Sequence, residues 1–530
     1  MVEVYKGRNQ DRHEFKVVGR RDLPGRQSYA IATGRAKYPR DIVLTDMLHA
    51  KVIRSPYGRA RIKSLNISEA EALPGVKAII TWEDPEIRAM PLLRDAAPVL
   101  SNEADREGDE VGACVAAETE EICDNALKLI KIEWEVLPHI LDPREALKPG
   151  APILHPELNP KTNIEAEQNW EDGDVEIGFR EANHIIEYDF SFRRASHHVP
   201  NPSTVVTYWE SDHMGSEGET LVIDSPNLSQ VTGPQLTAMK AFNISEDKVH
   251  VLTPYWGGKY CGQLFERSEV LAPLLAKRTG RPVRMAHSRR DSFGTGAPQC
   301  YTHVKIGFKS DGIMTAAHGQ IVHEMGARGG YSLPVSMALF RSTRCPNIKN
   351  ESKLVYTNTA RTRSDQGAEY YKGIFAKALW LIADRLGMDP TEVALKNCRT
   401  PEPSLKLCIE KGKKAIGWDE KWHAPGTRRL PNGRMHGLGF RYSDAHGHGR
   451  STYGCALAIK TDGKVYMPYQ EALIGTYWAD ACAMVIAEEL GARPEDVIVH
   501  FVPNMPFWFQ GFATERGSSA TWVAKEAAID

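Results

Sequence analysis

The chain has 530 residues, 42% of them hydrophobic and 25% charged, a globular composition long enough for two to four domains with separate cores and unlike that of a disordered protein. With 66 Lys and Arg against 68 Asp and Glu, the formal net charge of -2 gives no reason to expect nucleic acid or an acidic membrane as partner; a small or uncharged substrate fits better. The 9 cysteines are scattered, odd in number and never in C-x-x-C spacing, so they read as reduced thiols, and any iron–sulfur cluster is expected on another chain.

The first residues, MVEVYKGRNQDRHEF, are polar and lack the apolar core of a secretion signal, and no run approaches the ~20 apolar residues of a membrane helix. The expectation is a cytoplasmic chain with no membrane segment, although a partner's twin-arginine signal could carry a preassembled complex across a membrane. Residues 1–160 alternate short strands and helices. Leu48 to Arg54, Ala78 to Thr81 and Val111 to Ala117 read as strands. Ser68 to Leu73 reads as a helix capped by Ser68 and ended by Pro74-Gly75, and Glu120 to Lys131 places Ile122, Ala126, Leu127 and Ile130 on one helical face. The proline-rich stretch Lys148 to Asp174 reads as loop, with a linker at 161–175.

Residues 176–400 form a larger region. Ile185 to Phe192, Thr204 to Glu210, Leu221 to Asp224, His303 to Phe308 and Met314 to His323 read as strands, and Gly233 to Ala241, Phe265 to Arg278 and Tyr371 to Gly387 as helices, the last ended by Gly387. In residues 401–530, a glycine-rich stretch from His436 to Gly454 precedes a hairpin, Ala456 to Lys460 and Val465 to Pro468, turned at Asp462-Gly463. A helix from Asp480 to Leu490, a strand from Val497 to Val502 and a helix from Ser518 to Ala528 complete an α+β unit, and the position of that last helix suggests that the fold continues elsewhere.

The stretch from Val251 to Arg284 draws together strand, glycine turn, helix and strand. Gly257 and Gly258, flanked by Trp256 and Tyr260, can take backbone angles closed to other residues and let main-chain N–H groups approach a bound group. Taken alone, this turn is equally an ordinary tight connection.

In combination these elements resemble the molybdopterin-binding subunit of the xanthine oxidase and aldehyde oxidoreductase family, the molybdenum hydroxylases. ATGRAKYPRDI, LHAKVIRSPYGRARIKSLNISEAEALPGVKAIIT and REGDEVGACVAAETEEICDNALKLIKIEWEVLP, between Ala32 and Pro138, are similar to the family's hammerhead-like α/β domain. NPSTVVTYW at Asn201 to Trp209, Tyr255 to Arg284, VYTNT at Val355 to Thr359 and ADRLGMDPTEVALKN at Ala383 to Asn397 are similar to landmarks of the cofactor domain. The resemblance implies an α+β chain: a hammerhead-like domain (1–160), a linker (161–175), a first molybdopterin-binding domain (176–400) and the start of a second (401–530). It also implies a pterin-held molybdenum contacted largely by backbone groups, as a molybdopterin cytosine dinucleotide, with [2Fe-2S] and FAD on partner subunits. The family's GGGFGGK turn matches Thr253 to Lys259, so Trp256, whose N–H would face the metal's oxo ligand, is expected at the cofactor with Gly257, Gly258, Gln366, Gly367 and Gly475. Gly517, Ser518 and Ser519 are anion-binding candidates at a helix start.

The sequence departs from the family at several of these places. Pro226 and Asn227 stand where a glutamine is usual, Gln366-Gly367-Ala368 replaces arginine–glycine–aromatic, and Leu473-Ile474-Gly475 replaces glycine–glutamine–glycine. Tyr260 and Met337 replace an acidic contact and an arginine of purine-oxidising members, so Pro226, Asn227, Tyr260, Met337 and Ala368 are expected to line a pocket for an uncharged substrate, aromatic molecules included. The family's general-base glutamate lies downstream of the landmark matched by Glu515 to Ser519 and is expected on a second large-subunit fragment, beside iron–sulfur and FAD subunits. The expected chemistry is hydroxylation of an electron-poor carbon with water-derived oxygen; the alternatives are a non-hydroxylating enzyme of the same fold, such as a hydratase or hydroxyl transferase, or a catalytically empty structural subunit. Asp365, Gln366 and Glu369 form a polar group expected to act at the site. His197 and His198 are either pocket-lining or structural, Cys261 reads as a buried thiol, and His436, Asp444, His446 and His448 form an incomplete ligand set that reads as solvated or packed.

Overall fold

The computed structural model describes the chain apart from residues 1–14, 94–96, 197–198, 212–217, 226–231, 253–254, 258–266, 329–338, 363–368, 400–403, 442–455, 470–472, 474, 503–523, 525–527 and 529–530. Helices and strands are mixed throughout, as an α+β class requires. The residues gather into two compact units, each assembled from separated stretches: residues 1–137, 197–294 and 446–530 in the first, and 138–196 and 295–445 in the second.

The first unit is built on a seven-stranded sheet in the order Val249–Val251, Glu219–Asp224, Thr204–Ser211, Val283–Ala286, Leu48–Arg54, Glu110–Ala117, Val76–Thr81. Its central joint is the parallel pairing of Leu48 with Val283 and of Ala50 with Met285. The N-terminal strands and those around the glycine turn therefore belong to one sheet. Helix Ser268–Thr279 lies on it with Ser268 to Ala276 all buried, and Gly280, at φ 63, ends it in the left-handed conformation open to glycine. Its continuous apolar run reads as a buried helix because Leu271 and Leu275 pack with Leu48, Leu221 and Met285. Strands Ala458–Ile459, Val465–Tyr469 and Val497–Phe501 form a smaller sheet with helix Trp478–Leu490. An N-terminal strap closes on that helix: the buried carboxylate of Glu488 accepts hydrogen bonds from the backbone N–H groups of Lys16, Val17 and Val18.

The second unit holds a five-stranded sheet in the order Ile164–Asp172, Ile348–Tyr356, Met314–Gly326, Cys300–Phe308, His184–Phe192. Helix Glu369–Leu386 contributes Ile374, Leu379 and Ile382 to its core. The Tyr188 hydroxyl donates to the Ile374 carbonyl at 2.8 Å. Gly387, at φ 66, follows this helix as expected.

Two local expectations change. The stretch read as loop and linker carries strand Ile164–Asp172, paired antiparallel with Ile348–Tyr356. Its alternate positions are half-buried and exposed, and Glu165, Glu167 and Glu171 on this edge strand give it the polarity of a loop. Helix Ser68–Glu71 has no side-chain cap from Ser68; the Ser68 N–H instead donates to the Asn66 side chain at 3.0 Å.

A buried ionic cluster locks the sheet to the helix start. Arg54 lies 2.8 Å from Glu110, His287 lies 3.1 Å from both Glu110 and Ser268, and Arg267 lies 3.4 Å from Asp109. Burial opposes ionisation of Glu110, but the adjacent Arg54 and His287 outweigh it and hold the carboxyl below the ordinary carboxylate range. A folded-state value below the unfolded one means that this contribution is complete above about pH 4.3 and fades as pH falls further. Glu110→Gln should therefore lower stability by about 1–3 kcal/mol at neutral pH, since Arg54 keeps Asp291 but loses its other carboxylate partner. Urea unfolding of both proteins should show a smaller gap at pH 3 than at pH 7; a gap independent of pH would contradict this assignment.

Candidate functional site

In the first unit, strand Val249–Val251 runs parallel to Glu219–Asp224, and Leu252 N–H continues the ladder to the Ile223 carbonyl at 2.8 Å. Tyr255 then bridges to Leu473, and the Trp256 N–H donates to the Leu473 carbonyl at 3.1 Å. This one bond joins segments more than 200 residues apart in the chain, and both were singled out in the sequence. Trp256 is 1% exposed, so its indole is part of the turn's packing.

The two described glycines have different reasons for being glycine. Gly257 is not among the residues with positive φ; a Cβ on it would lie 2.7 Å from the Asn201 Cβ, so close approach rather than an unusual backbone angle excludes a side chain. Gly475 does take the left-handed conformation, at φ 87, and a Cβ there would meet nothing within 4 Å among the described residues. Tyr477 follows, also left-handed at φ 56, and precedes helix Trp478–Leu490. The Trp478 ring packs edge-on against Tyr469 at 5.1 Å, and its indole Nε1 is buried without a hydrogen-bond partner among the described residues. Burial, aided by the neighbouring Tyr255, raises the Tyr469 hydroxyl well above its ordinary value, so it is a neutral group. A glycine with open space beside it, followed shortly by a buried spare N–H donor, suits a ligand with acceptor atoms.

The strand leading to the Pro226 region is fixed from beneath. Ser225 is fully buried and its hydroxyl donates to the Glu269 carboxylate at 2.6 Å. Glu269, also fully buried, lies in the first turn of helix Ser268–Thr279. The end of one site strand and the start of the helix after the glycine turn are thus tied together.

In the second unit, the VYTNT segment is anchored on Glu324, which is 0% exposed. Thr357 and Thr359 hydroxyls donate to its Oε1 at 3.0 and 2.6 Å, while the Gln299 N–H and the Arg194 guanidinium meet its Oε2 at 2.8 and 2.7 Å. Arg361–Thr362 pairs in parallel with Thr295–Gly296, and Ala195 bridges to Ala297.

Of the residues expected at the cofactor, Trp256, Gly257 and Gly475 are described and lie in the first unit, where Trp256 meets Leu473, two residues before Gly475. Gly258, Gln366, Gly367, Gly517, Ser518 and Ser519 lie outside the described residues, as do Pro226, Asn227, Tyr260, Met337 and Ala368. So do Cys261, Asp365, His197, His198, Asp444, His446 and His448. The Trp256 N–H assigned to an oxo ligand is occupied by the Leu473 carbonyl, so a contact from Trp256 has to use another of its atoms. His436 pairs with His423, ring nitrogens 2.8 Å apart. Among the described residues no group of three or more His, Cys, Asp or Glu is placed to hold a metal.

Glu269, Glu324 and Arg194 were not singled out from the sequence. The available signal was a carboxylate inside an apolar run, in IVHEMG and in SEVLAPLLA, where an acid is retained only when buried donors meet it.

Comparison with known proteins agrees with this architecture. Residues 33–138 match the family described as aldehyde oxidase and xanthine dehydrogenase, a/b hammerhead domain, and residues 154–398 match the molybdopterin cofactor-binding domain. The chain is 27% identical to the xanthine dehydrogenase molybdenum-binding subunit of Escherichia coli O157:H7, over 94% of this chain and 70% of that one. It is 28% identical to the nicotinate dehydrogenase large molybdopterin subunit of Eubacterium barkeri, over 72% of this chain and 90% of the relative. The crystal structure of quinoline 2-oxidoreductase from Pseudomonas putida 86 shares the fold, with a TM-score of 0.79 at 21% identity, covering 96% of this chain and 69% of that one.

The Gly257 contact gives a direct test. Gly257→Ala forces its Cβ against Asn201 and should cost about 1–3 kcal/mol, as overpacking does. Thermal unfolding should show a lowered midpoint that is partly restored when Asn201→Gly is added. Equal midpoints for wild type and Gly257→Ala would mean that this approach does not hold the turn.

Proposed function

Because the chain belongs to the xanthine oxidase and aldehyde oxidoreductase family of molybdopterin-binding large subunits, we propose that it is an oxidoreductase subunit of molybdenum hydroxylase type. It takes the pterin cofactor as the cytosine dinucleotide and hydroxylates an electron-poor carbon of an uncharged substrate, aromatic molecules included, with oxygen from water. The observation that supports this reading is the Trp256 N–H to Leu473 carbonyl bond, which joins the turn at Trp256 and Gly257 to the segment that leads to Gly475. When bound, the cofactor supplies a redox-active molybdenum able to accept two electrons and deliver oxygen.

The chain's own residues bind and orient. Among the described residues nothing fills the space beside Gly475 and the Trp478 Nε1–H is a spare donor, and Gly257 keeps the turn closed on Asn201. The buried Trp256 and Tyr469 exclude water from this side. Gly258, Gln366, Gly367, Gly517, Ser518 and Ser519 are proposed to complete the cofactor contacts, and Pro226, Asn227, Tyr260, Met337 and Ala368 to line the substrate pocket. A carboxylate base that activates water is assigned to a partner polypeptide, and iron–sulfur and FAD subunits are assigned the removal of electrons. In support, the nicotinate dehydrogenase relative is matched over 90% of its length and the xanthine dehydrogenase relative over 70%, so large subunits of both extents occur among the relatives. A cytoplasmic complex is the proposed setting.

The internal use of the Trp256 N–H favours keeping two other readings in the test: hydration or hydroxyl transfer at the same metal, and a structural subunit without cofactor. Metal and pterin analysis of the purified complex should find about one molybdenum per chain; its absence refutes the enzyme reading. Turnover in oxygen-18 water should label the product together with acceptor reduction, whereas product formed without acceptor reduction contradicts hydroxylation.

A further inference from the structure

The second unit buries one carboxylate that the expected chemistry does not use. Both Glu324 oxygens accept hydrogen bonds, and four of the donors among the described residues come from three separate stretches: Arg194, Gln299, and the pair Thr357 and Thr359. Two of these stretches run on toward residues expected at the pocket or cofactor, and the third pairs beside one of them. Arg194 precedes Ala195, which bridges to Ala297, and the chain continues to His197 and Asn201. Thr359 precedes Arg361–Thr362, and the chain continues to Gln366 and Gly367. Gln299 follows Thr295–Gly296, the strand that pairs with Arg361–Thr362.

The energetics argue for position rather than stability. Arg194 Nη2 meets Glu324 and the Thr359 hydroxyl, at 2.7 and 2.8 Å, but Nε and Nη1 are buried without a hydrogen-bond partner among the described residues. Burying a charge pair with donors left over is commonly no better for stability than an apolar pair of the same volume. Such a pair does fix orientation, because buried donors that satisfy both carboxylate oxygens hold their own segments in place. Gly326, two residues on, tightens the same point: it takes φ 76, and a Cβ on it would overlap the Ala360 carbonyl.

We propose that Glu324 is a positioning residue that fixes the described stretches 192–196 and 355–362, from which the chain runs on to His197 and to Gln366. The proposal rests on the molybdenum reading for its purpose, and on the hydrogen bonds for its mechanism.

Hydrogen exchange followed by mass spectrometry, with molybdenum content measured on the same samples, separates the two. In the purified complex, Glu324→Gln should raise exchange at least tenfold in 192–196 and 355–362, leave helix Glu369–Leu386 within twofold of wild type, and lower molybdenum per chain at least threefold. The variant Glu351→Gln, which removes the carboxylate facing His318 nearer the surface, should change none of these. Exchange within twofold in both stretches overturns the proposal, as does uniform acceleration that includes the helix, or unchanged molybdenum content. If Glu324→Gln is insoluble, Thr359→Val, which removes a hydroxyl bound to both Glu324 and Arg194, is judged by the same criteria. A wild type without molybdenum refutes the proposed function, and the exchange result alone then decides the role of Glu324.

Discussion

A carboxylate taken out of water has to be met by donors, and this chain uses that constraint to join its distant parts. Glu110 gathers Arg54 and His287, Glu269 takes the Ser225 hydroxyl, Glu324 gathers Arg194, Gln299, Thr357 and Thr359, and Glu488 receives the backbone of Lys16, Val17 and Val18. Each of these acids is buried and each links stretches well separated in sequence. Apolar packing supplies the bulk of the driving force, but it is non-directional. The carboxylates add direction, because their donors can be satisfied in few arrangements.

That division of labour explains which features could be read from the sequence. Helices Glu120–Leu129 and Glu369–Leu386 and strands Leu48–Arg54 and Glu110–Ala117 are local patterns of apolar residues, and they form where the periodicity places them. The pairing of Leu48 with Val283 is not local, so nothing near either residue announces that the N-terminal strands share a sheet with those around the glycine turn. Strand Ile164–Asp172 was hidden for a different reason: as an edge strand it alternates half-buried positions with exposed acids, which resembles a loop.

The candidate site divides in the same way. Glycines and an aromatic at a turn identify a place where backbone comes close to something, and Tyr255 and Trp256 do meet Leu473. What each approaches is a tertiary fact. Gly257 is closed down by Asn201, Gly475 faces open space among the described residues, and the Trp256 N–H is taken by Leu473. The anchoring acids Glu269 and Glu324 are single letters inside apolar runs, and their meaning appears only when their donors are known.

If the segments around Trp256 and Gly475 form the protein side of a pterin-held molybdenum site, the metal itself can be located against them. Crystals of the purified complex, measured on both sides of the molybdenum absorption edge, should give one anomalous peak per chain, with cofactor density in contact with residues 255–257 and 473–478. A peak elsewhere, with those residues packed only against protein, would contradict that assignment.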